Sequence, residues 1–184
     1  ILTEAMLSHL NVEPRFIDHS SDFGLTIDYL PPEAAGIDRL VNASAAAAGY
    51  GTPVIACSFG TATTFDVVNK EPAYIGGAIA PGMRLLAEAL NLKTSKLPLV
   101  NVEKPETAIG RTTEGSIQSG IFNGSIGLVE GMLVRIIEEL GEKVTVVGTG
   151  GFAKTIAGES SMIDIVDENL TLDGIRLIAE RMRR

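Results

Sequence analysis

Residues 54–68, VIACSFGTATTFDVV, decide the fold of this chain of 184 residues. The apolar run Val54–Cys57 is typical of a buried strand, and Phe65–Val68 begins a second strand. Between the two runs, Gly60 permits a tight turn, and Thr61 begins a series of hydroxyl side chains. Such a strand–turn–strand unit can bring backbone N–H groups and hydroxyls to a phosphate. Because Gly and Thr are common in turns, these residues alone favour an ordinary β-hairpin.

Strands and helices alternate on both sides of this hairpin, which predicts an α/β fold with a mixed sheet flanked by helices. Helices are predicted near residues 2–10, 40–48, 81–90, 114–140, 152–157 and 172–182. Further strands are predicted at residues 15–17, 25–29, 74–79, 144–147 and 162–166. Pro81 is expected to begin the third helix, because proline is favoured at the first helical position. The pair Gly76-Gly77 predicts a bulge or a close approach of backbone or ligand.

The predicted helix from about Glu114 to Leu140 is unusual in its glycine content. Glycine occurs in it at positions 115, 120, 124, 127 and 131. Each exposed interior glycine costs about 1 kcal/mol relative to alanine. We expect either close packing of another helix or a partner subunit against this helix, or a break near Asn123-Gly124.

Composition excludes several classes of function. A net charge of −8 argues against nucleic acid or an anionic membrane as the main partner. The single Cys57 excludes an intrachain disulfide framework and fits a reducing, cytoplasmic compartment. Consecutive apolar residues never reach the roughly 18 that a membrane span requires. His9 and His19 lack metal-ligand spacing to other candidates, and we expect both at the surface.

Three short constellations could carry chemistry, and each has an ordinary structural alternative. Gly36-Ile37-Asp38-Arg39 offers a general base beside an anion clamp, or else a helix-start Asp with a surface Arg. Thr112-Thr113 offers an anion site at a helix start, or only an N-cap. Gly148-x-Gly150-x-x-Ala153, with Asp167 after the next strand, resembles a dinucleotide fingerprint. That turn fits a nicotinamide enzyme, a nucleotide-binding turn or a purely structural turn.

Taken in order, these pieces resemble type III pantothenate kinase, of the superfamily that includes acetate kinase, sugar kinases, heat-shock chaperones and actin. The resemblance covers nearly the whole chain. The motifs that carry it are Tyr29, Gly36-Ile37-Asp38-Arg39 with Asn42, Phe59-Gly60-Thr61-Ala62-Thr63-Thr64-x-Asp66, Gly76-Gly77-x-Ile79-x-Pro81-Gly82, Thr113 with Gln118-Ser119-Gly120, and Gly148-x-Gly150-Gly151.

The resemblance implies two ribonuclease H-like lobes of the actin-like ATPase type, with ATP in the cleft and pantothenate beside it. Residues 1–46 would be the remainder of an incomplete N-terminal lobe, and residues 47–184 the C-terminal lobe. Members phosphorylate pantothenate to 4'-phosphopantothenate with ATP, the first step of coenzyme A biosynthesis. They work as homodimers and require Mg²⁺ together with K⁺ or NH₄⁺.

The resemblance also implies roles for individual residues. Asp38 corresponds to the general base that takes the hydroxyl proton of pantothenate. The implied pantothenate contacts are Tyr29, Gly36, Ile37, Asp38, Arg39 and Thr113. The implied ATP contacts are Gly60, Thr61, Gly148, Gly150 and Gly151.

Two departures from the family pattern bear on activity. Ser58 occupies the position of the family's cation-binding Asp, and one hydroxyl is a poor substitute for a carboxylate near phosphates. The family's Asp-x-Gly-Asn-Thr phosphate loop does not occur in these 184 residues. We therefore expect little or no kinase activity from this chain. The alternative is a non-catalytic relative that binds pantothenate or acts as a regulatory accessory factor.

Overall fold

A mixed sheet of six strands organises the described part of the chain, residues 2–183 of a computed structural model. The strands are β1 (Thr26–Ile27), β2 (Val54–Phe59), β3 (Ala62–Val68), β4 (Ala73–Pro81), β5 (Thr145–Thr149) and β6 (Ile165–Val166). The helices are α1 (Leu2–Leu10), α2 (Ile37–Tyr50), α3 (Met83–Lys93), α4 (Thr113–Leu140), α5 (Ala153–Ala157) and α6 (Leu170–Arg181), with a short 3₁₀ helix at Pro32–Ala34. The predicted α/β class is confirmed.

The strand order is β1-β4-β3-β2-β5-β6. Strands β2, β3 and β4 form an antiparallel meander, whereas β5 runs parallel to β2 and β6 parallel to β5. β1 is parallel to β4 at the opposite edge. Because β2 and β5 are parallel neighbours, their carboxyl ends and the turns that follow them meet at one end of the sheet.

The two faces of the sheet bury separate apolar clusters, because successive strand side chains point to opposite faces. Cys57 and Phe65 pack with α3, α4 and α5 on one face. Ala56 and Val68 pack with α2 and α6 on the other face. Burial raises the pKa of the Cys57 thiol, which is consistent with a small core residue rather than a nucleophile.

Helix α2 packs closely against its neighbours, as its small side chains predicted. Ala43 and Ala46, which belong to this helix, are fully buried. Gly174 of α6 lies so near that an added Cβ would stand 2.6 Å from the carbonyl oxygen of Val41. Only glycine allows this approach of the two helices.

Several predicted element boundaries are wrong. Residues 15–17, although described, form no strand, and β1 and β6 are only two residues long. Pro81 ends β4, where it pairs with Ala62, and does not begin the next helix. Helix α4 is continuous through Asn123, so the alternative of a break there is wrong. The predicted lobe boundary at residues 46 and 47 falls inside α2, and the division into two lobes stays a prediction.

Helix α4 bears on the expectation that no segment is long and apolar enough to span a membrane. By length and composition it is the one helix of residues 2–183 that could cross a bilayer, and about a quarter of its most apolar stretch is buried inside the structure. Core helices of soluble proteins have the same length and composition, so this feature is weak support for a membrane span.

Candidate active site

The glycine turns assigned to ATP lie together at one end of the sheet. The turn after β2 holds Gly60 and Thr61, and the turn after the parallel strand β5 holds Gly150 and Gly151. Gly148 is buried within β5, where it pairs with Cys57, so the prediction that the turn begins at Gly148 is wrong. The N–H of Phe152 donates to the carbonyl of Phe59 at 3.3 Å. Gly150 adopts φ +90°, and an added Cβ would stand 2.8 Å from the same carbonyl oxygen. The structure therefore brings the five predicted ATP residues to one place.

The end of β4 supports the first of these turns from the other side. Gly82 donates its N–H to the carbonyl of Thr61 at 3.0 Å. An added Cβ at Gly82 would stand only 2.2 Å from the carbonyl oxygen of Gly60. Thr61, Gly150 and neighbouring Gly151 are exposed, so their backbone and hydroxyl groups are open to a ligand.

The motif Gly36–Arg39 forms the amino terminus of α2. Gly36 is the N-cap and has no side chain to cap the helix. The first intrahelical bond runs from the N–H of Leu40 to the carbonyl of Gly36, at 3.1 Å. The N–H groups of Ile37, Asp38 and Arg39 precede it and have no partner within the helix. Such groups favour the oxygen of a ligand, particularly an anionic one.

The side chain of Asp38 is exposed, and it makes no hydrogen bond or ion pair with residues 2–183. It lines a mostly apolar groove of about 380 Å³, between α2, α6 and residues 15–17. An added Cβ at Gly36 would stand 2.8 Å from its Oδ1. Glycine at position 36 thus leaves room for a carboxylate that is free to accept a proton.

Arg39 points away from Asp38 and into the protein. Its Nε donates to Oδ1 of Asp66 at 2.7 Å, and the two side chains are 8% and 0% exposed. The interpretation of Arg39 as a surface residue is therefore wrong. Its Nη2 is buried and has no acceptor among the described residues.

Asp66 is the centre of a group that we call the buried polar cluster: the buried Arg39, Asp66 and Tyr74, with Tyr29 and Thr64 half-buried at its edge. The Tyr74 hydroxyl donates to Asp66 Oδ1 at 3.1 Å, and the Thr64 hydroxyl donates to Oδ2 at 2.8 Å. The Arg39 guanidinium lies 5.8 Å from the centre of the Tyr74 ring. The Tyr29 ring packs at a tilt against Tyr74, with centroids 5.9 Å apart.

The glycine pair in β4 makes room for this cluster. Gly76, at φ +106°, would place an added Cβ 3.3 Å from the Tyr29 ring. Gly77 would place one 1.6 Å from the carbonyl oxygen of Phe65. The predicted close approach at Gly76-Gly77 is therefore confirmed, and the β3–β4 register also shifts nearby, at Val67/Val68.

Burial and charge act against each other inside the cluster. Burial raises the pKa of the Asp66 carboxyl, although Arg39 and the hydroxyl donors oppose the rise. Burial is the largest single influence on the pKa of the Arg39 guanidinium and acts to lower it, but the charge of Asp66 and the smaller contributions of the other cluster residues together leave that pKa raised. Burial, followed by the charge of Asp66, raises the pKa of the Tyr74 hydroxyl. Tyr74 is therefore a hydrogen-bond donor here and not a phenolate.

Ser58 lies between neutral oxygens. On β2 it pairs with Thr64 of β3 and Thr149 of β5, and all three side chains face α2. Asp66 lies two residues along β3 from the pairing partner of Ser58, and both of its carboxylate oxygens already accept hydrogen bonds. Among the described residues, no group of three His, Cys, Asp or Glu side chains could hold a metal ion. This set of residues does not fit the carboxylate-based cation site that the family resemblance implies.

Thr113 lies apart from the other residues that were predicted to contact pantothenate. It is exposed at the start of α4, on the face of the sheet opposite α2. The neighbouring Thr112 is the N-cap, and its hydroxyl accepts the N–H of Gly115 at 3.0 Å. The N-cap interpretation is confirmed for Thr112.

The dinucleotide interpretation has little structural support. After the turn that follows β5, the described chain contains only α5, the two-residue β6 and α6, which is too little for a full dinucleotide-binding unit. The Asp167 carboxylate accepts the Tyr50 hydroxyl at 2.9 Å, on the α2 side.

Sequence reasoning assigned no role to Asp66, Tyr74 or Thr64. A signal was available, because Asp66 interrupts the apolar run Phe65–Val68 on the face that also carries Val68. A carboxylate at such a position is almost never left unpaired in a core. Which cation pairs with it depends on how α2 lies over the sheet.

Comparisons with known proteins identify the same family that the sequence motifs resemble. The chain matches the family model for type III pantothenate kinase over residues 1–135. A type III pantothenate kinase of Brevibacillus brevis is 51% identical over 158 residues, which are 86% of this chain and 62% of that protein. One from Finegoldia magna is 41% identical over 180 residues, which are 96% of this chain and 69% of that protein.

A solved structure shares the fold. It is a conserved Campylobacter jejuni protein assigned to the Baf family of transcriptional activators, with a TM-score of 0.65 and 21% identity. The match covers 99% of this chain and 78% of that one.

Proposed function

The chain belongs to the type III pantothenate kinase family, and we propose on that basis that it binds ATP and pantothenate for phosphoryl transfer. The product would be 4'-phosphopantothenate, in the first step of coenzyme A biosynthesis. The chain spans 62% and 69% of the lengths of the two relatives described above. The observation that carries the proposal is the unpaired Asp38 carboxylate at the uncapped amino terminus of α2.

The proposed chemistry requires positioning and one proton transfer. The Asp38 carboxylate accepts the proton of the primary hydroxyl of pantothenate as that oxygen attacks the γ-phosphorus of ATP. The bond from the γ-phosphorus to the bridging oxygen breaks, and ADP leaves with the electron pair. The free N–H groups of Ile37 and Arg39 would hold ligand oxygens beside Asp38.

The two glycine turns would bind the nucleotide. Thr61 offers a hydroxyl next to Gly60, and the turn at Gly150 and Gly151, which follows Gly148 and the end of β5, lies against the same strand end. Backbone donors of this kind accept phosphate without adding net positive charge, which suits a chain of net charge −8. Mg²⁺ would arrive with the ATP phosphates.

We propose that the response to K⁺ or NH₄⁺ is lost or weakened in this chain. Ser58 supplies one neutral oxygen, and both oxygens of the Asp66 carboxylate already accept hydrogen bonds. Substitution of Ser58→Asp should restore a K⁺-dependent gain in nucleotide affinity, and Ser58→Asn, of similar size but uncharged, should not. An equal effect of both variants would contradict a charge-based cation site.

We propose ribonuclease H-like lobes of the actin-like ATPase type as the finer fold. The antiparallel meander β2-β3-β4, followed by parallel β5 and β6, supports this assignment for the C-terminal lobe. A cytoplasmic location, with neither nucleic acid nor membrane as partner, is proposed from the charge and the single Cys57.

We propose that α4 mediates a homodimer. An added Cβ at Gly120, Gly124 or Gly127 would have nothing within 4 Å, and the three glycines lie on one helix face. A second helix could approach this exposed, apolar surface closely. Gly124→Leu should therefore convert a dimer to a monomer in light scattering, and an unchanged mass would contradict this interface.

The function is tested by calorimetric titration with pantothenate, together with a phosphorylation assay containing ATP, Mg²⁺ and K⁺. We expect pantothenate binding with little or no turnover. Turnover at ordinary kinase rates, about 1–100 s⁻¹, would refute the expected impairment. Absence of pantothenate binding would refute the proposed function itself.

Asp38→Asn separates the enzymatic proposal from the alternative of a non-catalytic pantothenate-binding factor. If the chain is an enzyme, the variant should abolish any residual turnover while it still binds pantothenate. If wild type binds pantothenate and shows no turnover even with Ser58→Asp, the non-catalytic alternative is favoured.

A further inference from the structure

The Arg39 side chain is held at one nitrogen and left open at another. It pairs with Asp66 through Nε alone, at 2.7 Å. A bidentate pair would have engaged a terminal nitrogen as well. Instead Nη2 is buried, with no acceptor among residues 2–183. Because a buried N–H without an acceptor is costly, this nitrogen points to a missing oxygen.

We propose that Asp66 is a positioning residue for the acceptor substrate. It fixes the Arg39 guanidinium so that Nη2 donates to an oxygen of bound pantothenate. This inference rests on the proposed function and deepens it, because it adds a residue that touches no substrate itself.

Asp66 is suited to this task because it is itself immobilised. It lies within β3, and its two oxygens accept hydrogen bonds from Arg39, Tyr74 and Thr64. The Tyr74 ring adds a contact to the guanidinium at 5.8 Å. The hydrogen bond at Nε and the contact with the Tyr74 ring fix the orientation of the planar guanidinium. The direction in which Nη2 points is therefore set before the substrate binds.

The charge balance indicates which oxygen Nη2 binds. The formal charges of Arg39 and Asp66 cancel, so the buried cluster is neutral without a ligand. A second carboxylate there would bury an uncompensated negative charge. Nη2 therefore binds a neutral oxygen of pantothenate, a hydroxyl or the amide carbonyl, and not its carboxylate.

The first test is calorimetry of the chain with pantothenate and, separately, with a non-hydrolysable ATP analogue. Asp66→Asn should weaken pantothenate binding on the order of 10- to 100-fold, the range for a hydrogen bond to a charged group. Affinity for the ATP analogue should stay within about twofold, because no side-chain hydrogen bond or ion pair among residues 2–183 joins the glycine turns to the cluster. Pantothenol, in which an alcohol replaces the carboxylate, should be weakened by the same factor as pantothenate.

A double-mutant cycle shows whether Asp66 acts through Arg39. In an Arg39→Gln background, Asp66→Asn should cost little further pantothenate affinity. Tyr74→Phe and Thr64→Val remove one donor each and keep Asp66, so they test the proposal even if Asp66→Asn fails to fold. Each should weaken pantothenate binding by a few fold. Tyr50→Phe removes a similar Tyr–Asp bond outside the cluster and should change nothing.

The outcomes are distinct. If wild type does not bind pantothenate, the proposed function fails, and this inference fails with it. If wild type binds but all three cluster variants bind equally well or more tightly, the positioning role alone is overturned. Equal losses for pantothenate and the ATP analogue, or additive losses in the cycle, would show a merely structural role. Loss for pantothenate without loss for pantothenol would overturn the choice of a neutral oxygen.

Discussion

The glycine turns at the end of the sheet and the buried polar cluster below α2 are built in different ways. At the turns, backbone atoms approach each other, and positions such as Gly150 and Gly82 exclude any side chain. In the cluster, side chains from three separate segments meet around one carboxylate, Asp66. The turns depend on local chain geometry, whereas the cluster depends on the register of β3 and on the placement of α2.

The largest effect should come from the centre of the cluster. Asp66→Asn leaves the buried Arg39 charge without its partner, and we expect the free energy of unfolding to fall by about 3–5 kcal/mol. Chemical denaturation measures this loss. The matched control is Glu180→Gln, which breaks the exposed Arg176–Glu180 pair and should cost less than about 1 kcal/mol. Similar losses for both variants would contradict a buried, energetically coupled cluster.

The turns should show a smaller but sharply localised effect. Gly150→Ala forces a Cβ against the Phe59 backbone at positive φ, and should cost about 1–3 kcal/mol. Gly151→Ala is the control, because an added Cβ there meets nothing within 4 Å. It should change stability by less than about 0.5 kcal/mol. Chemical denaturation of both variants measures these losses, and equal losses of stability would remove the steric argument.

The same contrast, between local chain geometry and tertiary contacts, explains which features could be predicted from the sequence. The turns at Gly60 and at Gly150 were predicted correctly, because glycine at a strand end has a local meaning, whereas Gly148 lies inside β5. The hairpin and α4 were predicted for the same reason, from consecutive apolar or helical patterns. The Arg39–Asp66 pair joins residues 27 apart in the chain, and no local pattern specifies which cation meets a buried acid.

The boundaries that were predicted wrongly are also those set by tertiary contacts. Pro81 has a side chain suited to a helix start, but pairing with Ala62 extends β4 through it. Residues 15–17 were predicted to form a short strand, yet they pair with no strand of the described sheet. At both places the outcome depended on whether a neighbouring strand pairs with the segment.

The smallest effect should be in the pH dependence of stability. Burial raises the pKa of Asp66 above its ordinary value of 3.8, so the folded state holds this proton more tightly than the unfolded state. The contribution of Asp66 to stability therefore falls as the pH rises from that ordinary value to the raised one, and is constant above it. The free energy of unfolding is measured for wild type and for Asp66→Asn at several pH values in this range. The difference between the two at each pH gives the contribution of Asp66 to stability. A difference that grows with pH would mean that pairing with Arg39 outweighs burial.

The most direct measurement is a crystal structure of this chain with pantothenate and a non-hydrolysable ATP analogue bound. We predict a neutral pantothenate oxygen about 3 Å from Arg39 Nη2, with the primary hydroxyl beside Asp38 and the nucleotide phosphates at the glycine turns. Pantothenate bound away from α2, or an Arg39 Nη2 that still lacks an acceptor in the complex, would contradict the account.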